Sequence, residues 1–352
     1  MITKLQLRDF TLFPEANFDF SALNILHGEN SSGKTHILKL AYSIASTMAP
    51  GPNEQAPEQA TKKLLSSTIG IKIGTVFRPD KGKLGRLTRR VPGNKRTQIA
   101  AHFLGAGKVK FSFSRKSDRT VNVEETPSDW LPESPIFLPT RELLSVYPGF
   151  VSLYETQAIP FDETWRDTCL FLGAPVARGP KKQDIGVLLE PLETAIGCKA
   201  LLEGDRFFLQ MQEPNAKVEA DLVAEGFRKL SMVARLIANG SIDDRGYLFW
   251  DEPEANLNAR LVRKLAPLLI DLAKGGVQVF IATHSLFLMR ELEIELAKRN
   301  DRTKEKARYI GLHPSTNGVV VKQGNSVEDS GDIAALDESL DQSDRYLEAE
   351  DV

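Results

Sequence analysis

Eight residues near the N-terminus, Gly28-Glu29-Asn30-Ser31-Ser32-Gly33-Lys34-Thr35, have types and spacing suited to holding phosphate, since they fit G-x-x-x-x-G-K-[ST] at every position. Small residues at Gly28, Asn30, Ser31, Ser32 and Gly33 let backbone N–H groups curl around an anion at a helix N-terminus. Lys34 reaches the β and γ phosphates, and the Thr35 hydroxyl ligates Mg²⁺. A second segment, Tyr247-Leu248-Phe249-Trp250-Asp251-Glu252-Pro253, is an apolar run that ends in two carboxylates. At the C-terminal edge of a buried strand beside a phosphate loop, Asp251 would hold Mg²⁺ through water and Glu252 would polarise an attacking water. A third, Ile281-Ala282-Thr283-His284-Ser285, ends another apolar strand, and His284 there can sense a γ-phosphate by hydrogen bonding.

These residues need a strand, a loop and a helix in that order to carry them. ITKLQLRDF and LNILHG read as short strands, and THILKLAYSIASTM has apolar residues at helical spacing directly after the loop. Residues 50–66 read as a connection. From about Ile71 to Val123, alternating segments such as GKLGRLTRRV and KVKFSFS predict an antiparallel sheet with one basic face. SPIFLP reads as a buried strand, GVLLEPLETAI as a helix and RFFLQM as a strand. After these come a helix at FRKLSMVARLIANG, the strand YLFWDE, a helix at LVRKLAPLLIDLAK, the strand VQVFIATHS and a strand pair at RYIGLHP and GVVVKQ. Strands alternating with helices predict a largely parallel sheet covered on both faces. SLDQSDRYLE predicts a short docking helix within the tail.

A length of 352 residues with 41% hydrophobic and 26% charged composition is ordinary for a soluble globular chain. The two cysteines, Cys169 and Cys198, show no metal-binding or disulfide-framework spacing, so a reducing, cytoplasmic setting is expected. No apolar run nears the roughly 20 residues that span a bilayer, and MITKLQLRDF lacks a signal-peptide core, so no membrane partner is expected. The net charge of −2 hides an asymmetry: residues 78–119 hold thirteen Lys or Arg against two Asp, a local +11, whereas residues 327–352 hold ten acids against Arg345, a local −9. The basic stretch reads as a contact for nucleic acid, as a contact for an acidic protein or a neighbouring subunit's acidic tail, or as a solvated face.

The order GENSSGKT, EGFRK, FWDEPEANLN and ATHS resembles the ABC-type ATPase head shared by SMC-type, RecF and OLD-family proteins, closely over residues 1–45 and 220–322 and loosely between them. The resemblance implies an α/β P-loop NTPase of ABC-ATPase type: a mixed central sheet with flanking helices, an antiparallel β lobe and a helical insert. The expected organisation is an N-terminal part of the ATPase core over 1–50, the basic β lobe over 51–125, a helical or mixed insert over 126–222, a C-terminal part of the core over 223–322 and an acidic tail over 323–352. It further implies ATP and Mg²⁺ as ligands, Glu252 and His284 as catalytic groups, and a homodimer or larger homo-oligomer. In that assembly the signature segment of one protomer, with Gly226 and Arg228, caps ATP held by the other, and Asn256 and Asn258 lie in the loop at the interface. The sequence departs from the pattern twice. Ala224-Glu225-Gly226 lacks the hydroxyl that usually precedes the signature glycine, and Thr140, Arg141 and Glu142 stand where a glutamine loop is expected. The turn Phe10-Thr11-Leu12 is expected to wall the adenine base. A length without sustained heptads resembles the compact stand-alone ATPases of bacterial anti-phage systems, similar to AriA and PtuA. That likeness implies control of a separately encoded, nuclease-like effector, and the alternative is a RecF-like DNA clamp.

Overall fold

Short runs of buried residues at period two and longer runs at helical period assemble three sheets and their covering helices. The computed structural model describes residues 1–49, 59–177, 181–243, 246–299 and 306–350. Strands β1 (Ile2–Phe10), β2 (Phe13–Asp19), β4 (Arg96–Phe103), β5 (Gly107–Ser114) and β6 (Asn122–Glu125) form an antiparallel sheet in the order β2-β1-β4-β5-β6. The central sheet has the order β14-β13-β3-β12-β11-β7 and comprises β3 (Leu23–His27), β7 (Pro135–Leu138), β11 (Tyr247–Asp251), β12 (Gln278–Thr283), β13 (Ala307–Ser315) and β14 (Gly318–Gly324). Four of its five pairings are parallel, and β13–β14 closes the edge antiparallel. A smaller antiparallel sheet joins β8 (Cys198–Glu203), β9 (Arg206–Met211) and β10 (Lys217–Glu219).

The central strands are buried on both faces, so their alternate residues feed two cores. Ile25, Leu248, Trp250, Val279 and Ile281 face one core, with helices α6 (Glu225–Ala238), α7 (Ala259–Lys274) and α8 (Leu286–Ala297). Leu26, Phe249, Phe280 and Ala282 face the other, with α1 (Lys34–Met48), α2 (Lys62–Phe77) and the five-stranded sheet. Helices α3 (Phe150–Thr156), α4 (Glu163–Leu172) and α5 (Lys181–Ile196) lie between β7 and the small sheet along the chain. A polar tie fixes α4 to α1: Tyr42 donates to Asp167 at 2.6 Å, and Lys39 pairs with Asp162 at 2.7 Å.

Two sequence expectations fail here. The stretch expected to begin the antiparallel sheet at about Ile71 is instead part of the helix α2, capped by the Thr61 hydroxyl, which accepts from Leu64 N at 3.3 Å. The alternation of Ile69, Ile71 and Ile73 mimics a strand, yet the buried side chains are Leu65, Ile69, Ile73 and Val76, at helical spacing, while Ile71 is 54% exposed. GKLGRLTRRV is not a strand either. Leu84–Leu87 forms a 3₁₀ turn held by Leu84 N and Gly85 N donating to Asp118 O and Ser117 O, so the segment folds against the β5–β6 connection rather than pairing along it. The expected connection over 50–66 falls partly outside the described residues. The acidic tail carries a 17-residue C-terminal helix, Ala334–Glu350, longer than the segment expected to be helical.

The helical reading of α2 has a direct consequence. Ile73→Ala is expected to cost about 2–5 kcal/mol of unfolding free energy, whereas Ile71→Ala should change it by less than about 0.5 kcal/mol. Denaturant midpoints of the two variants check this, because a strand would place both side chains on the same face.

Candidate functional site

The residues expected to form the site gather at the edge where β3, β12 and β11 end. Their parallel register sets Leu26 beside Ala282 and Ala282 beside Asp251, so the loops that follow the three strands open side by side. The loop after β3 turns at Gly28 with φ 146°, where a Cβ would come within 2.6 Å of Leu312 O and 2.9 Å of Ser32 Oγ. Asn30 and Ser31 continue the turn, Ser31 with φ 65°, and Gly33 caps α1. Lys34 folds back over this loop, donating from Nζ to Gly28 O and Glu29 O at 2.8 Å each. Burial pulls its pKa below the usual lysine value, with Glu252, Asp251 and Glu254 opposing the shift. Ser32 Oγ is buried without a partner among the described residues. A loop of this shape with an unused buried hydroxyl suits phosphate oxygens, which accept from hydroxyl, ammonium and backbone donors alike.

Thr35 lies at the first turn of α1, and its hydroxyl donates to Asp251 Oδ2 at 2.9 Å. Burial raises the Asp251 carboxyl to about 6, against the Thr35 hydrogen bond and with Glu252 adding to the rise. A hydroxyl and a desolvated carboxylate in contact are a donor pair suited to a hard divalent cation, which takes oxygen ligands and relieves the buried charge. Next to them Glu252 Oε1 stands 3.3 Å from His284 Nδ1. Thus Lys34, Thr35, Asp251, Glu252 and His284, which are remote in sequence, converge on one edge.

Glu252 itself has a left-handed φ of 47°, a conformation costly for a residue with a side chain. Two contacts hold it there. Its N–H donates to Ala282 O at 2.9 Å, and its carbonyl accepts from Lys229 Nζ at 2.7 Å. Lys229 is wholly buried in α6 and also donates to Ala255 O at 3.1 Å. Burial lowers its pKa to about 8, against the acids Glu254, Glu225, Glu252 and Asp251. Glu254 is tied to the neighbouring strand by the Thr283 hydroxyl at 2.5 Å.

The signature residues meet different partners. Gly226 packs against the loop after β11, where a Cβ would lie 3.0–3.2 Å from Leu261, Asn256 O and Leu257. Arg228 has Nε 2.7 Å from Glu142 Oε1, and its Nη1 donates to Val223 O at 2.7 Å. Glu142 is buried and also accepts from Leu144 N at 2.7 Å and Ser145 N at 3.2 Å, which commits its carboxylate to holding the loop after β7. Thr140 is half-buried and Arg141 exposed. Asn258 caps α7 by accepting from Leu261 N at 3.0 Å, and Asn256 takes a φ of 63°.

The turn expected to wall a base is divided by the structure. Phe10 is fully buried against Phe77, so it cannot form that wall. Thr11 and Leu12 line an open cavity of about 440 Å³ together with His36, the residue after Thr35, and with Arg86, Arg90 and Gly318. Thr11 Oγ1 and His36 Nδ1 are buried without partners among the described residues.

The family described as "AAA domain, putative AbiEii toxin, Type IV TA system" matches residues 23–290, a span that includes the loop from Gly28 to Thr35, Gly226, Arg228, Asp251, Glu252 and His284. The chain belongs to this AAA family. Two solved structures share its fold. One is an SMC head bound to the C-terminal winged-helix domain of ScpA, with a TM-score of 0.56, 14% identity, and 93% of this chain and 98% of that chain covered. The other is the Smc head with an extended coiled coil from Pyrococcus furiosus bound to the C-terminal domain of ScpA, with a TM-score of 0.52, 12% identity, and 93% and 97% covered. No curated protein matches the chain. The α/β architecture of this AAA protein, with its parallel-rich central sheet, is that of a P-loop ATPase of the ABC type, and no described helix is long and apolar enough to cross a membrane.

Sequence reasoning missed Lys229, whose charge within an amphipathic helix gives no sign that it is buried beneath the carboxylates. It also missed His27, just before Gly28. His27 is buried, lies 2.6 Å from Ser330 Oγ through Nε2, and is lowered to about 4 by burial, with His313 and Lys34 adding to the shift.

A pH dependence follows from Asp251. Its folded pKa of about 6 lies above the ordinary 3.8, so folding favours the protonated form. That contribution is complete at low pH and is lost as pH rises through about 6. In chelator and without nucleotide, Asp251→Asn should therefore be more stable than wild type at pH 7, by up to about 3 kcal/mol. The difference should shrink towards pH 4 when unfolding is followed across that range.

Proposed function

We propose that this AAA-family chain binds and slowly hydrolyses Mg²⁺-ATP, pairs or oligomerises through its head, and works as a sensor and scaffold that controls a separate, nuclease-like effector in anti-phage defence. The observation that carries the hydrolytic part is the convergence of Thr35 bonded to Asp251 with Glu252 beside His284. In this reading the loop from Gly28 to Gly33, with Lys34, holds the phosphates, and Thr35 and Asp251 hold the cation. Bound there, Mg²⁺ supplies charge neutralisation for the β and γ phosphates. Glu252 accepts the proton of the attacking water and His284 orients that carboxylate and reports the γ-phosphate. Thr11, Leu12 and His36 receive the base.

Head pairing in this reading uses the N-terminus of α6 at Gly226 and the loop carrying Asn256. Arg228 supports the cap from behind, since its guanidinium already ties Glu142 to the carbonyls before α6. Lys229 joins α6 to the carbonyls of Glu252 and Ala255, so a partner pressing on the signature segment would be felt at the water-activating carboxylate.

The toxin–antitoxin description of the family and the resemblance to anti-phage ATPases support the defence role. In the two similar structures the SMC heads carry ScpA, which supports a head that seats another protein. The longest described helix has 17 residues, in keeping with a compact scaffold rather than a long-armed clamp. The basic stretch favours protein over nucleic acid as its partner. Phe103, Phe111 and Phe113 are core residues unable to stack on bases, and Lys108 and Lys110 are paired with Glu125 and Glu124.

Glu252→Gln is expected to slow ATP hydrolysis by about 100-fold or more while leaving ATP binding intact. Phosphate release and nucleotide binding by the purified variant test this, and wild-type turnover in Glu252→Gln would remove the assigned role.

A further inference from the structure

The C-terminal helix Ala334–Glu350 presents an amphipathic surface to solvent. At 100° per residue Leu336, Leu340, Ser343 and Leu347 form one stripe, and Leu340 and Leu347 are 58% and 59% exposed. Glu338, Asp341, Asp344 and Glu348 lie to one side of this stripe, from Asp344 next to Leu340 round to Glu338, all exposed and none ion-paired among the described residues. A helix this acidic is marginal on its own and gains from a surface that is basic with an apolar floor.

Such a surface exists on the same chain. An open cleft of about 530 Å³ is lined by the exposed Lys83, Arg86, Arg90 and Arg115 with Val91 and Pro92 between them. Arg86 meets only the exposed Asp80, at 3.1 Å, and neither Lys83 nor Arg90 has a carboxylate partner among the described residues. Four of the thirteen cations of this stretch line the cleft, whereas Lys95, Lys108 and Lys110 are paired elsewhere.

The helix does not occupy its own cleft: Leu340, Leu347 and those acids of the helix are exposed, and none of them pairs with the cations of the cleft among the described residues. Its root is fixed by Asp329, which accepts from Asn325 N and Ser326 N at 3.1 Å each, and by Ser330 against His27. Val327 and Ile333 then seat it in the core beneath α6 to α8. The cleft is built on Leu84 and Leu87, which belong to the core on the opposite face of the central sheet. We infer that the acidic C-terminal helix docks into the basic cleft of a second copy of this chain, with the Leu340–Leu347 stripe on Val91 and Pro92 and the acids on Lys83, Arg86, Arg90 and Arg115. Each copy offers one helix and one cleft, so a reciprocal exchange closes as a two-fold dimer. Arg86, Thr88, Arg90 and Val91 also line the cavity beside Thr11 and His36, so the docked helix abuts the partner's base-binding cavity. This contact needs no nucleotide, which separates it from ATP-driven head pairing.

Sedimentation of the nucleotide-free full-length protein tests the inference at low and at about 0.5 M salt, where screening shortens electrostatic reach. Wild type should dimerise and weaken at high salt. Arg86→Glu/Arg90→Glu in the cleft and Asp341→Lys/Asp344→Lys in the helix should each weaken the dimer at least about tenfold, and combining all four in one chain should restore it. A wild type that stays monomeric without nucleotide, or a dimer indifferent to both reversals, overturns the proposal. Failure of the four-fold variant to recover does the same. So does duplex DNA binding that is lost on Arg86→Glu/Arg90→Glu without any change in mass, which would give the cleft to nucleic acid.

Discussion

The left-handed turn at Glu252 is the constraint on which the rest of the site depends. A strand that ends in two carboxylates must turn sharply there if Asp251 is to face Thr35 while Glu252 faces His284, and a φ of 47° accomplishes that at a cost in backbone strain. The strain persists because both polar groups of that residue are committed: the N–H to Ala282 on the neighbouring strand, the carbonyl to Lys229. Lys229 can serve only because it is fully buried, close enough to reach two carbonyls from the second turn of α6. Burial disfavours its charge, and the four surrounding acids offset part of that penalty. The acidic edge and the buried lysine thus stabilise one another, and α6 becomes a rigid extension of the edge it supports.

The two-core architecture explains how so many remote residues converge. Central strands buried on both faces carry one set of side chains to α6, α7 and α8 and the alternate set to α1, α2 and the five-stranded sheet. Parallel pairing then places all the strand ends on one side, so loops from residues 27, 251 and 283 open together. The root of the acidic tail is attached to this same edge through Ser330 and His27, so the element we propose to reach another copy is anchored at the residue before Gly28.

Much of the site was legible because its signals are local. The phosphate loop needs eight consecutive residues in a strand, loop and helix context, and the Asp251-Glu252 and Thr283-His284 pairs sit at the ends of plainly apolar runs. What was hidden depends on distant partners. Lys229 and Lys39 look alike as lysines in helices, yet only the fold decides that one is buried beneath Glu252 and the other pairs with Asp162. The α2 helix was misread because Ile69, Ile71 and Ile73 satisfy period two, and tertiary packing chose period 3.6. Counting charge along 78–119 overstated the basic surface, since Asp9, Glu124 and Glu125 neutralise part of it from outside the window. Nor did the sequence reveal that β1 and β2 pair into the same sheet as β4 to β6, a contact that spans about a hundred residues.

The central claim is that the Thr35–Asp251 pair holds a divalent cation against a bound nucleotide, and calorimetric titration of ATP into wild type and Thr35→Val tests it most directly. The titrations are run with Mg²⁺ and again with chelator. The account predicts that wild type loses at least about tenfold in affinity when Mg²⁺ is removed, a difference of about 1.4 kcal/mol, and that Thr35→Val shows little dependence on the metal. Equal affinity in wild type with and without Mg²⁺, or no heat of ATP binding at all, would contradict it.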